Sequence, residues 1–95
     1  MIHVRVKLLG VFRGFSTTNQ MVLRVQQATV RELIESVVES FPTEARKLMI
    51  DPELNDPRPN SLVLLNGKEI SVLKGLETEI REDDEVTLIP ISHGG

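Results

Sequence analysis

The feature that most constrains the fold is one apolar stripe in the middle of the chain. After Thr29, apolar residues recur at the spacing of a single face of an α-helix. They are Val30, Leu33, Ile34, Val37, Val38 and Phe41. Thr29 and Glu32 have the spacing of a capping box, and Pro42 ends the helix. An amphipathic helix of this kind has to cover an apolar surface, so the rest of the chain must provide one.

The segment before the helix predicts two strands. In "MIHVRVKLLG" every second residue from Ile2 to Leu8 is apolar, as in a strand with one buried face. The next segment, "VFRGFSTTNQ", contains Gly14 and a cluster of Ser, Thr and Asn, which is typical of a hairpin loop. The alternation resumes in "MVLRVQ". We therefore expect the two strands to form an antiparallel pair.

The segment after the helix predicts a short second helix and three further strands. "TEARKLMI" suits the helix, and "DPELNDPRPN" is a loop because its three prolines fix φ and remove donors. "SLVLLNGKEI" reads as a strand, a type I′ turn at Asn66-Gly67 and the start of another strand. "EVTLIPI" is the last strand. In it Val86 and Leu88 face one way, while Thr87, Ile89 and Ile91 face the other.

This order predicts an α+β fold, a mixed four- to five-stranded sheet with one main helix packed on one face. The uncovered face should then carry Arg5, Lys7 and Leu9 from the first strand and Ile89 and Ile91 from the last, if those strands are neighbours. Such a surface would be a mixed apolar and basic docking patch. The alternative is a set of scattered surface apolar residues, which are normal on any protein.

Composition argues against several classes of function. The chain has no cysteine, which removes disulfides, thiolate catalysis and thiolate metal sites. His3 and His93 lie far apart in the sequence, so we expect no metal site. We also expect no direct binding of nucleic acid, because the net charge is −3 and the chain has three Phe but no Tyr or Trp.

The charges are unevenly distributed along the chain. The five basic residues up to Arg31 are accompanied by no acidic residue, and all 14 acidic residues follow. Two solvated faces would explain this pattern, and so would a basic face that attracts an acidic partner. No apolar run approaches the ~18 residues that a membrane span needs. The start of the chain does not resemble a signal peptide. We expect a cytoplasmic protein without N-terminal processing.

The chain resembles the MoaD/ThiS sulfur carriers and the ubiquitin-related modifiers, which share the β-grasp fold. The resemblance rests on "ATVRELIESVVESFP" for the helix, "LVLLNGKEI" for the hairpin and "EDDEVTLIPISHGG" for the last strand and tail. The acidic turn, strand, proline and final Gly-Gly are the specific part. Two features depart from the family pattern: Asp83-Asp84 stands where Asp-Gly is frequent, and the "DPELNDPRPN" loop is longer.

The resemblance implies a carrier and not a complete enzyme. Residues 1–95 would form a single β-grasp domain with a flexible tail at about 91–95. The carboxylate of Gly95 would become an acyl adenylate and then a thiocarboxylate or an isopeptide. Glycine at 94 and 95 suits a tail that enters a narrow ATP site. His93, Ser92 and Ile91 would be further tail contacts.

The resemblance also implies the partners. An ATP-dependent activating enzyme of the MoeB/ThiF type would use the ATP, a sulfur donor would supply the sulfur, and the carrier itself would bind no cofactor. Leu9 and Ile89 would be the docking contacts, flanked by Arg5 and Lys7. The sulfur would serve tRNA thiolation or cofactor biosynthesis, and the carrier could also be conjugated to lysines of target proteins.

Two alternatives remain open at this stage. In the first, the chain is the small subunit of molybdopterin synthase, and its tail inserts into the large subunit. In the second, it is a non-catalytic β-grasp interaction module with an incidental Gly-Gly. Adenylation by an activating enzyme separates the interaction module from the carriers.

Overall fold

The computed structural model describes residues 2–15, 20–25, 29–51, 53–54 and 56–91. The strands are β1 (Ile2–Leu8), β2 (Gln20–Val25), β3 (Ser61–Leu65), β4 (Lys68–Glu69) and β5 (Glu85–Pro90). The helices are α1 (Val30–Glu39) and α2 (Thr43–Met49), with short 3₁₀ helices at Gly10–Phe15, Ile70–Val72 and Gly75–Glu77. No helix within these ranges is long and apolar enough to cross a membrane.

The strands form one mixed sheet in the order β2-β1-β5-β3-β4. The first and last strands are parallel neighbours at its centre, and the other pairs are antiparallel. This arrangement confirms the predicted α+β architecture. It also satisfies the condition on which the docking patch depended, because β1 and β5 lie side by side.

Helix α1 packs its apolar stripe on one face of the sheet. All six predicted stripe residues are buried, including Phe41 just beyond the end of the helix. The sheet meets them with buried residues of its three central strands: Val4, Val6, Leu8, Val63, Leu65, Val86 and Leu88. The face of β5 that carries Val86 and Leu88 is therefore the core face.

Half of the predicted capping box is formed. The Thr29 hydroxyl accepts a hydrogen bond from the backbone N–H of Glu32 at 3.3 Å. The Oε2 atom of Glu32 is buried and has no hydrogen-bond partner among the described residues. The N-terminus of α1 is thus stabilised by Thr29 and by a bond from the N–H of Val30 to the carbonyl of Thr78 at 3.0 Å.

Two tight turns adopt the conformations that their residues favour. Asn66 and Gly67 have φ of 50° and 85°, as a type I′ turn requires, and join β3 to β4. Asp83 has φ of 67° in the acidic turn before β5, a left-handed conformation that Asp tolerates better than most residues.

The predicted hairpin loop between β1 and β2 contains a helical segment that the sequence did not indicate. Residues Gly10–Phe15 form a 3₁₀ helix, and the side chain of Phe12 is fully buried. Gly10 permits this turn because its φ is +57°. The part of the predicted loop at 16–19 lies outside the described residues.

Candidate functional site

The tail leaves the sheet at the end of β5, beside the loop that precedes β3. The N–H of Ile91 donates to the carbonyl of Asn60 at 3.0 Å, which extends the β3–β5 ladder by one residue. The predicted tail residues Ser92, His93, Gly94 and Gly95 lie outside the described residues, so their roles stay predictions. Fully extended, four residues beyond Ile91 span at most about 14 Å.

The base of the tail is tightly packed. A Cβ at Gly10 would lie 2.6 Å from Cγ of Pro90, so only glycine fits here without a local shift. The N–H of Leu9 donates to the carbonyl of Leu88 at 3.1 Å. On the other side, the Asn60 side-chain amide donates to the carbonyl of Lys47 at 3.3 Å, which ties the loop before β3 to α2. These contacts fix the point at which the tail starts.

The face of the sheet opposite α1 brings together the predicted patch residues. In the strand register Lys7 pairs with Thr87, and Thr87 pairs in turn with Leu64. Leu62 pairs with Ile89 in the same way. Cross-strand partners lie on the same side of a sheet. We call this surface the open face and define it by Arg5, Lys7, Leu9, Leu62, Leu64, Thr87 and Ile89.

Leu62 and Leu64 were not assigned to this face from the sequence. The run from Leu62 to Leu65 is apolar throughout, so it contains no alternation that separates the two sides of the strand. The structure separates them, because Val63 and Leu65 are buried in the core while Leu62 and Leu64 are half-buried. The pairing of Leu62 with Ile89 makes the patch more apolar than predicted.

The remaining predicted patch residues occupy its edges. Leu9 follows β1 and is half-buried, and its bond to Leu88 carries the β1–β5 ladder towards Ile89. Thr87 is buried although it belongs to the open face, since Lys7 and Leu64 flank it in the register. Ile91 is exposed at the base of the tail.

The two basic residues of the open face differ in their surroundings. The Arg5 guanidinium donates to the carbonyl of Asp83 at 3.2 Å and lies 4.0 Å from the Glu85 carboxylate. Its charge is therefore partly balanced by the carboxylate of Glu85. Lys7 is half-buried and forms no salt bridge with any described residue. Lys7 is the stronger candidate for attracting an acidic group on a partner.

The described part of the chain offers no group of three acidic or His side chains placed to hold a metal ion. The chemistry that the described residues support is docking, through an apolar face with a basic edge and a tail held at a fixed starting point.

The family follows from comparison with known proteins. The model of the ThiS family matches residues 6–95, which is nearly the whole chain. The chain belongs to the ThiS family. A relative from Archaeoglobus fulgidus, named as a proposed sulfur carrier protein, is 32% identical over 83% of this chain and 74% of its own length.

Two solved structures show the same fold. The small archaeal modifier protein 1 of Methanosarcina acetivorans is 25% identical, with a TM-score of 0.81 and coverage of 100% of this chain and 98% of that one. The Amycolatopsis orientalis BexX/CysO complex matches with a TM-score of 0.69 at 23% identity, over 97% of this chain and 99% of the matched chain.

These comparisons confirm the predicted resemblance and the ubiquitin-like β-grasp fold. The family thus includes relatives that are named as a sulfur carrier and as a protein modifier.

Proposed function

We propose that this chain is a sulfur carrier whose Gly95 carboxylate is adenylated and then converted to a thiocarboxylate. The observation that carries the proposal is the family match, which extends through the Gly94-Gly95 tail to residue 95. The name of the Archaeoglobus relative supports sulfur as the cargo.

The proposed chemistry needs no catalytic group on this chain. A carboxylate oxygen of Gly95 attacks the α-phosphate of ATP, and pyrophosphate leaves. A hydrosulfide-equivalent nucleophile then attacks the acyl carbon and displaces AMP, which leaves a carbon–sulfur bond. The catalytic groups, the ATP site and the sulfur donor belong to partner proteins, in accord with the absence of cysteine from this sequence.

The open face is the proposed docking surface for the activating enzyme, which would be of the MoeB/ThiF type. Leu62 and Ile89 pair across two neighbouring strands and present apolar side chains, and Lys7 adds a positive charge at their edge. Apolar contacts at the centre of an interface and charges at its rim are the usual division of roles. The BexX/CysO complex supports a protein partner, because a chain of the same fold is bound there to a second protein.

Conjugation to proteins is a second candidate use of the same adenylate. The match to a protein named as a modifier favours it. In that reaction a lysine amine of a target, in place of the sulfur nucleophile, would displace AMP and form an isopeptide. Both uses share the adenylation step, so the first experiment tests that step.

The test is ATP–pyrophosphate exchange with a purified activating enzyme, comparing wild type with variants of the tail. Deleting Gly95, adding one residue after it, or changing Gly94→Val should abolish exchange, because the carboxylate is then misplaced or the narrow entrance is blocked. Gly14→Val is the matched control, since Gly14 is exposed and has open space around it.

We expect the melting temperature of all tail variants to stay near that of wild type, since a chain terminus contributes little to the fold. Normal exchange after deletion of Gly95 would show that Gly95 is not the reactive residue, and normal exchange by Gly94→Val would show that the entrance is not narrow.

A further inference from the structure

A second apolar surface lies at the base of the tail. Three of the exposed large apolar side chains meet there: Val11 is 58% exposed, Leu48 is 53% exposed and Ile91 is 40% exposed. They line a groove of about 250 Å³ together with Phe12, Lys47, Asn60 and Pro90. We call this surface the tail-base groove.

The groove is built from ordered elements. Val11 lies on the 3₁₀ helix Gly10–Phe15, next to the fully buried Phe12, and Leu48 lies on α2. Asn60 connects the end of β5 to α2. Its backbone carbonyl accepts a hydrogen bond from the N–H of Ile91, and its side-chain amide donates to the carbonyl of Lys47. These two bonds fix the backbone of Ile91 relative to that of Lys47, at the point where the tail begins.

The length of the tail limits which protein could occupy the groove. Ile91 lines the groove and is also the residue from which the tail starts. Because four residues span at most about 14 Å, an active site that encloses Gly95 lies within about 14 Å of Ile91. The surface around the entrance to that active site must then approach the groove.

The composition of the groove indicates the chemistry of that surface. The described residues that line the groove are mainly apolar, and Lys47 is the one charged residue among them. The Lys47 ammonium lies 3.9 Å from the Glu44 carboxylate in an exposed pair, which is worth little and is easily replaced. A complementary surface would present apolar side chains and one acidic group facing Lys47.

We propose that the tail-base groove is a second docking surface, separate from the open face, for the rim of the activating enzyme's tail entrance. The proposal rests on the proposed function, since it takes adenylation of Gly95 as the reaction that brings the two proteins together. It assigns partner contacts to Val11 and Leu48, which lie outside the sheet.

The test compares four exposed apolar residues changed to Asp. Val11→Asp and Leu48→Asp place a charge in the groove. Leu54→Asp and Val72→Asp are matched controls, because these side chains are 68% and 73% exposed and do not line the groove. Steady-state ATP–pyrophosphate exchange is measured at varied carrier concentration, with an activating enzyme that charges the wild-type chain.

We expect each groove variant to raise KM for the carrier about tenfold or more, as loss of a central apolar contact does, with kcat within about twofold. The control variants should stay within about twofold of wild type in both constants. Thermal unfolding of each variant shows whether it is folded. If Val11→Asp or Leu48→Asp fails to fold, Val11→Ser or Leu48→Ser takes its place in the same comparison. We then expect a smaller rise in KM.

Each failure has a distinct meaning. If no activating enzyme charges the wild-type chain, the proposed function fails and the groove proposal fails with it. If wild type is charged and the groove variants match the controls, the groove proposal alone is overturned. Equal loss in all four variants would also overturn it, because the effect would then come from added negative charge anywhere on the surface.

Discussion

Replacing Leu88 and Ile89 by Asp, one at a time, tests the assignment of the two faces of the sheet. The two residues are neighbours in β5 and point to opposite sides. Leu88 is fully buried against the helix layer and pairs with Leu8 and Val63. Ile89 is half-buried on the open face, where it pairs with Leu62. The same change in charge therefore meets two different surroundings.

The expected losses of stability differ several-fold. Burying a leucine side chain contributes about 1.5 to 3 kcal/mol, and an unpaired carboxylate in its place adds a desolvation cost of a few kcal/mol. Leu88→Asp should therefore cost about 4 to 5 kcal/mol, comparable to the whole stability of many domains. Ile89→Asp loses only part of its burial and keeps its carboxylate in water, so about 1 kcal/mol is expected.

Urea titration measures the free energy of unfolding of both variants. Val37→Asp on α1 is a second core control, because Val37 is also fully buried. In a domain of this size 1 kcal/mol corresponds to a fall in melting temperature of about 4 to 8 °C. Affinity for the activating enzyme should fall about 30-fold or more for Ile89→Asp, as for a central interface residue. Equal loss of stability in Ile89→Asp and Leu88→Asp would refute the assignment of the faces.

Three further predictions concern local features of the fold. Gly67→Ala should lower the free energy of unfolding by about 1 to 2 kcal/mol in urea titration, because φ of Gly67 is 85°. Gly14→Ala should leave it nearly unchanged. Equal losses of stability in the two variants would contradict the type I′ turn. Thr29→Ala should cost about 1 kcal/mol through the lost N-cap bond, and an unchanged midpoint would show that the bond does not matter. The hydrogen bond from Arg58 lowers the pKa of Asp56 below its ordinary value of 3.8. The pair therefore stabilises the fold above pH 3.8, and this stabilisation is lost as the pH falls through the pKa that Asp56 has in the folded state. Asp56→Asn should flatten the pH dependence of stability below about pH 4, and an unchanged slope would contradict this.

The main helix could be predicted from the sequence because its information is local. The spacing from Val30 to Phe41 defines one face of a helix, and Thr29 marks its start, while the helix itself ends at Glu39, before Pro42. The opposite directions of Leu88 and Ile89 also follow from local alternation. The structure confirms both.

The features that were missed depend on tertiary contacts. Leu62 and Leu64 could not be assigned to the open face because the strand is apolar on both sides. The burial of Phe12 in a segment with loop-like composition depends on packing across the fold. The tail-base groove combines the 3₁₀ helix after β1, α2 and the end of β5, which come together only in the folded chain.

The most direct test of the proposed function is the mass of the C-terminal peptide. The chain is incubated with an activating enzyme, ATP and a sulfide donor, digested, and analysed by mass spectrometry. We predict the mass increase of one sulfur atom replacing one oxygen atom, confined to the peptide that ends in Gly94-Gly95 and absent without ATP. Sulfur found in any other peptide, or no change while a related carrier is charged under the same conditions, would contradict the proposal that Gly95 carries the sulfur.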